Sequence, residues 1–457
     1  MKIPPYFTKF FVLSLALALL ANSCVQTPTP IPPINSPQPT LPSQSTSAPT
    51  QLPTLAGEKI LQSKLVRIAS PSVPEDDLVQ LAQGNNAFAI ALYQKMQGGD
   101  GNMFFSPCSI SLALAMAYAG ARGDTEKQIV EALHFTLPQD RLHPAMNSLD
   151  QEITSYAQAN NNKGLGFRLN IANALWGQDG FPFLPAYLDL LAQDYGAGMH
   201  LVDFVHATDA SRKVINDWVE HQTQGKITDL FPQDSLDDTT RLVLANAIYF
   251  KAAWENPFDQ ASTKNETFYL QNGSPTSVPM MHSKGETTYL YAQGSNYQAV
   301  GLPYADSAVM MVVLMPSSGN FANFEAGLTN TRLEAILTGM TDESLNLAMP
   351  KFKVETEFDL KSTLASLGML DAFDNNADFS GMDGKKDLFI ADVLHKAVVN
   401  VDENGTEAAA ATGVVMGIMA VPAQIHNVTI DHPFLFFLFD PETNMILFMG
   451  RMINPGK

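Results

Sequence analysis

The spacing of apolar residues divides this chain into a helix-rich first half and a strand-rich second half. Leu81, Phe88, Leu92 and Met96 recur at helical intervals and stop before Gly98-Gly99, which predicts an amphipathic helix with a clear end. Residues 109–122 are apolar nearly all round, the pattern of a helix buried on every side. Gly123-Asp124 closes that run, and Thr125-Glu126-Lys127-Gln128 restarts a helical pattern. A strand is expected over 170–176 and a helix over 186–195. A further helix is expected over 208–224, with Thr208 as its N-cap and Val214, Ile215 and Trp218 on one side. Strands dominate from there: 242–251, 308–315 and 345–357, the last alternating through Phe352, Val354, Thr356 and Phe358. One short helix is expected over 362–370. Two apolar runs, 433–440 and 444–452, flank Pro441-Glu442-Thr443 and read as a hairpin. No internal repeat is visible. Helices followed by strands indicate an α+β fold.

Globular patterning begins near residue 73, and what precedes it reads differently. Lys2 and Lys9 flank the start of an uncharged apolar stretch of twelve residues, Phe10 to Ala21. That is short for a bilayer span and fits a secretory leader, residues 1–23, ending at the small-x-small site Ala21-Asn22-Ser23. The segment Leu-Leu-Ala-Asn-Ser-Cys resembles a bacterial lipoprotein box, which implies a lipid on Cys24 after cleavage. Asn22 departs from the small or aliphatic residue usual at its place in that box, and simple secretion with Cys24 as the first residue is the alternative. Residues 25–57 carry no charge and nine prolines among Thr, Ser and Gln, so residues 24–72 are expected to form an extended, disordered tether. At roughly 3.1 Å per residue, some 33 residues reach on the order of 100 Å. The organisation expected is leader 1–23, tether 24–72 and one domain over 73–457, outside the cytoplasm and either free or held to the cell envelope through Cys24.

Composition narrows the partners. With 46% hydrophobic residues and 16% charged, a large core is easily built. Net charge is −19, and −21 once Lys2 and Lys9 leave with the leader. So acidic a chain argues against nucleic acid and heparin-like polyanions. Cys24 and Cys108 are the two cysteines; Cys108 sits in an apolar helix start and is expected to be a buried free thiol. No Gly-x-Ser-x-Gly, His-Glu-x-x-His, phosphate-binding glycine loop or Cys-x-x-Cys occurs, so neither an enzyme nor a cofactor or metal site is indicated. Asp431-His432 suggests part of a hydrolase triad, but its place ahead of a C-terminal strand favours a structural role.

The most informative stretch is Glu403-Asn404-Gly405-Thr406-Glu407-Ala408-Ala409-Ala410-Ala411. Four alanines favour helix, yet the segment after them, 412–423, has two glycines, a proline and no charge. A long exposed loop able to become a strand fits better. In a strand, Thr406, Ala408, Ala410, Thr412, Val414 and Met416 would share one uncharged face. This stretch resembles the reactive-loop hinge of serpins. Phe104-Phe105-Ser106-Pro107-Cys108-Ser109-Ile110-Ser111 is similar to that family's opening of a buried second helix. The run LVLANAIYFKAAWENPFD from Leu242 to Asp259 is similar to its central strand, and His395-Lys396-Ala397-Val398-Val399 to the strand feeding the loop. Asp431-His432-Pro433-Phe434 and Phe448-Met449-Gly450-Arg451 resemble its last strands. The motifs run in family order from about residue 74 to the end.

The resemblance implies the serpin fold, with a large central mixed sheet and an exposed reactive-centre loop at about 403–425. It implies a monomer that inhibits serine proteases through a covalent acyl complex and loop insertion. The hinge is Glu403, Gly405, Thr406, Glu407, Ala408, Ala409, Ala410, Ala411 and Thr412. It implies a shutter in which His395 bonds Asn246 beside Ser106 and Ser109, and Trp254 at the mouth where insertion begins. Counting seventeen residues inclusive from Glu403, the spacing usual in the family, puts the reactive bond at Met419–Ala420, with Ile418 or Ala420 as the residue before the bond if the count slips by one. Methionine before the bond suits elastase-, chymotrypsin- or subtilisin-like targets rather than trypsin-like ones. The alternative is a non-inhibitory member acting as a binding or carrier module. Such members usually carry charged or bulky hinge residues, unlike Gly405 and Ala408 to Ala411.

Overall fold

A twelve-residue central strand buried along almost its whole length and an all-buried helix set the architecture. The computed structural model describes residues 59–99, 101–161, 168–305, 308–406 and 425–457. In the N-terminal half, strand β1 (Lys59–Leu61) precedes helix α1 (Glu75–Met96), then β2 (Met103–Phe105), α2 (Pro107–Tyr118), α3 (Gly123–Leu133) and α4 (Gln139–Asn161). Next come β3 (Arg168–Gln178), α5 (Pro185–Leu190), which runs on as a π-turn over Leu191–Tyr195, then β4 (Met199–Val202) and α6 (Phe204–Gln222). Every residue of α2 is buried, as its uniformly apolar sequence predicts. Ser106 caps it by accepting the Ser109 N–H, with Pro107 in the first turn.

The second half supplies most strands. β5 (Leu242–Ala253) leads to β6 (Lys264–Tyr269), β7 (Pro275–His282), β8 (Thr287–Gln293), β9 (Tyr297–Pro303) and β10 (Met310–Pro316). β11 (Thr341–Pro350), β12 (Phe352–Asp359), β13 (Asp392–Asp402), β14 (Gly405–Thr406), β15 (Ile425–Thr429), β16 (Phe434–Asp440) and β17 (Met445–Met452) complete the set. Among the described residues they form two sheets. One has seven strands in the order β1-β4-β3-β5-β14-β13-β12; the other has ten and contains the C-terminal hairpin β16–β17. Phe104 stacks on both Phe436 and Phe448, which ties β2 into the core between the sheets.

Several sequence expectations shift in detail. The run 345–357 is two strands, because Pro350 ends β11 and β12 starts at Phe352. The helix expected from Thr208 starts at Phe204, capped by Asp203, with a kink at Ala207. The long helix α4, with Pro144 inside it, was not anticipated. The span 24–72 read as a tether changes character by Lys59, where the chain becomes an edge strand bonded to the domain. The leader, Cys24 and residues 25–57 lie outside the described residues.

Candidate functional site

The seven-stranded sheet is unevenly joined at its centre. β5 and β13 pair directly and in parallel from Val243↔Asp392 to Tyr249↔Val398. Above that, the chain turns at Glu403-Asn404 and re-enters between them. Gly405 and Thr406 pair antiparallel with Asp402 and Val401 of β13 on one side, and with Ala253 and Ala252 of β5 on the other. A two-residue wedge therefore sits between two strands that pair directly lower in the sheet. Gly405 is required there: a side chain would run into the Ala252 carbonyl and lie 2.7 Å from the Ala253 Cα.

The wedge is held by specific bonds. Trp254 donates its indole N–H to the Asp402 carbonyl at 2.9 Å and its backbone N–H to the Asn404 carbonyl at 2.9 Å. Its ring stacks on Tyr304 at 4.6 Å and 10°. The Tyr304 hydroxyl meets the Thr406 hydroxyl at 2.7 Å, and both side chains are buried. Glu403 is also buried; its carboxylate accepts from Thr263 and from the Lys351 ammonium, each at 2.9 Å. Burial works against its charge, yet these bonds outweigh it and keep the carboxyl below its ordinary range.

Lower in the sheet lies a buried polar cluster. His395 and Asn246 are opposite one another in the β13–β5 ladder, and Asn173 on β3 is opposite Asn246 on its other side. The backbone N–H of Ser106 donates to His395 Nε2 at 3.2 Å. That nitrogen is thus the acceptor, and Nδ1 carries the proton it gives to Asn246 Oδ1. Burial pushes the His395 imidazole down to about 3, so it is neutral, as this tautomer requires. The Asn246 amide donates to the Ser109 carbonyl at 3.0 Å and hydroxyl at 2.8 Å, and to Asn173 Oδ1. Ser106 donates its hydroxyl to the Leu447 carbonyl at 2.7 Å. The cluster joins β3, β5 and β13 to the start of α2; Ser106, Ser109, Asn246 and His395 are buried and Asn173 is partly buried, a network that is costly to leave half-made.

The structure therefore brings together His395, Asn246, Ser106 and Ser109, and bonds Trp254 to Asp402 and Asn404 in the turn that leads into Gly405 and Thr406. Residues Glu407, Ala408, Ala409, Ala410, Ala411 and Thr412, and the bond Met419–Ala420, lie outside the described residues. Asn173, Tyr304 and Lys351 join the site although the sequence did not single them out. Asn173 left one signal, an amide in the middle of the otherwise apolar run 171–176. Tyr304 and Lys351 left none, since their partners are distant in sequence. Asp431 and His432 are in contact, His432 Nδ1 donating to Asp431 at 2.7 Å and Nε2 to the Pro316 carbonyl at 2.6 Å. With both nitrogens donating, the ring has no acceptor position left to act as a base. Cys108 is a free, buried cysteine whose thiol burial pushes up to about 12. Among the described residues no cluster of three His, Cys, Asp or Glu side chains could hold a metal ion.

Comparison with known proteins agrees with this geometry. The family model described as serpin (serine protease inhibitor) matches residues 83–455. The chain is 41% identical over 373 residues to a serpin-like protein of Thermococcus kodakarensis, covering 81% of this chain and 84% of that one. It is 38% identical over 390 residues to leukocyte elastase inhibitor of Homo sapiens, covering 82% of this chain and all of that one. Among solved structures, human thyroxine-binding globulin complexed with its ligand superposes with a TM-score of 0.73 at 31% identity, over 83% of this chain and all of that one. The chain belongs to the serpin family and has the serpin fold.

Proposed function

We propose that this serpin is a suicide-substrate inhibitor of serine endopeptidases of elastase, chymotrypsin or subtilisin type. The observation that carries this reading is β14, a strand already started between β5 and β13 and followed in sequence, after Glu407, by the small, uncharged run Ala408 to Thr412. The similarity to leukocyte elastase inhibitor supports the target class. The target's serine hydroxyl attacks the Met419 carbonyl; an ester forms, the Met419–Ala420 amide breaks, and the new amine leaves with Ala420. Freed at that end, the segment from Thr406 onward continues β14 down the sheet. An inserted strand of about fifteen residues at about 3.3 Å each carries the acylated protease roughly 50 Å, and its distorted site fails to complete hydrolysis.

Continued in the register of β14, each hinge residue would arrive opposite a definite pair of residues. Thr406 faces Ala252 and Val401. Six residues on, Thr412 arrives between Asn246 and His395, the pair whose mutual bond must open to admit it. Its hydroxyl can take over one of the bonds broken there. Even-numbered residues would share the face that Thr406 turns toward Tyr304, so Ala408 and Ala410 would bring only methyl groups into the gap between β5 and β13.

The leader supports secretion, and the lipoprotein-like box at Cys24 supports a lipid-held form in the cell envelope, with a monomeric domain beyond the tether. A carrier role is the second reading, favoured by the likeness to thyroxine-binding globulin. Incubation with elastase, chymotrypsin and subtilisin followed by a denaturing gel separates the two. A covalent complex supports inhibition; simple cleavage with full release of active protease overturns it.

A further inference from the structure

We propose that residues 59–68 form a clamp that holds the sheet closed and slows insertion of an uncleaved loop; this rests on the insertion reading above. The segment precedes the family match, which begins at residue 83, and all of leukocyte elastase inhibitor aligns with 82% of this chain. It is nevertheless bonded at both ends to the domain. At one end β1 pairs antiparallel with β4, the outer strand of the β5 side of the sheet, through Lys59↔Leu201, Ile60↔His200 and Leu61↔Met199. Lys59 also pairs with Asp179, just past β3. At the other end the Arg67 guanidinium binds Asp150 at 2.7 Å and Asn147 at 2.8 Å, both on α4. Asn147 and Gln151 return amide bonds to the Ile68 carbonyl at 2.9 and 3.0 Å. Between the two ends, Ser63 donates to Asp189 on α5 at 2.5 Å.

Insertion at β14 parts β5 from β13, so β5, β3 and β4 must shift together across the helices beneath them by about one strand spacing, roughly 4.8 Å. The clamp joins that sliding edge to α4. Much of its holding is polar: Lys59, Ser63 and Arg67 bond to the domain, while Ile60, Leu65, Val66 and Ile68 are exposed and Leu61 packs partly against the core. Its grip thus rests on the short β1–β4 ladder, a few polar bonds and the one partly buried apolar side chain of Leu61. The domain is also shaped to receive it: a side chain at Gly198 would meet the Ile60 Cγ2 at 2.8 Å and the Leu61 carbonyl at 2.9 Å.

The test uses the full chain carrying Arg67→Ala and, separately, Gly198→Val, which evicts the clamp from the domain side. Amide exchange at residues 59–68 confirms release in each. Fresh wild-type protein forming a covalent complex with elastase establishes the insertion reading independently. Each protein is then held several degrees below its melting point, and conversion to an inactive, urea-resistant form is followed on gels. Both variants should convert several-fold faster than wild type while fresh samples still trap elastase. Release of the clamp with an unchanged conversion rate overturns the proposal, even where trapping by the wild type stands.

Discussion

Thr406 gives the sharpest test of insertion because its surroundings are fully described. The perturbation is Thr406→Arg. The native side chain is completely buried between β5 and β13, with its hydroxyl on Tyr304 at 2.7 Å. A guanidinium in that space has no carboxylate partner there, and an unpaired charge costs several kcal/mol to bury. The alternative is to expel β14, which gives up one hydroxyl bond, worth about 1 kcal/mol, and the pairing of two residues. Expulsion is the smaller loss, so the variant should fold with the rest of the sheet intact. Cleavage at the loop would then proceed, but insertion would have to draw the arginine back through the mouth beneath Trp254. Hydrolysis should outrun that step.

The assay is stoichiometric titration of elastase with a denaturing gel in parallel. The expected result is conversion from inhibitor to substrate: loop cleavage without a covalent complex, and protease activity recovered. Thr406→Ser, which keeps the hydroxyl, should trap normally. Trapping by Thr406→Arg at the wild-type stoichiometry would refute the reasoning, because a strand could not then be entering through this gap.

Other expectations follow from the same geometry. The His395 imidazole titrates near 3 in the fold against an ordinary value near 6.5, so the unfolded chain takes up a proton that the folded one refuses. Stability contributed by this group is complete above about pH 6.5 and falls by roughly 1.4 kcal/mol per unit as pH drops toward 3; denaturant midpoints for wild type and His395→Asn across that range should converge at low pH, and parallel curves would contradict the assignment. Asn173→Ala removes one arm of the buried cluster, leaves Asn246 and Ser109 under-bonded, and should lower the melting temperature and speed uncatalysed loop insertion, as read by gel shift. Met419→Arg should redirect inhibition to trypsin-like enzymes through pairing with their acidic pocket, and mass spectrometry of the released C-terminal fragment should show it beginning at Ala420; a start outside 413–422 would contradict the loop assignment. Wild-type protein should enter the detergent phase and take up labelled fatty acid, Cys24→Ala should do neither, and an unlabelled wild type would indicate simple secretion.

Much of this was legible because local patterns coincided with tertiary roles. The uniformly apolar run after Ser106 could only be a buried helix, and α2 is one. The His395–Asn246 pairing depended on the family resemblance, since nothing local links two residues on different strands. Tyr304 and Asn173 escaped notice because each acts through a cross-strand or stacked neighbour rather than through a sequence motif. The clamp was hidden for another reason. It mixes charged and exposed apolar residues with no core-facing period, so its sequence reads as a continuation of the tether. The β1–β4 ladder and the bonds of Lys59, Ser63 and Arg67 reveal that it belongs to the domain.

The central claim is that the native sheet is one strand short of its most stable state. It is tested most directly by comparing the thermal melting of the intact protein with that of the same protein nicked between residues 414 and 420. If β14 is the start of a strand that cleavage allows to complete, the nicked form should melt far above the intact one and resist strong denaturant. A nicked form that melts at or below the intact temperature would contradict the claim.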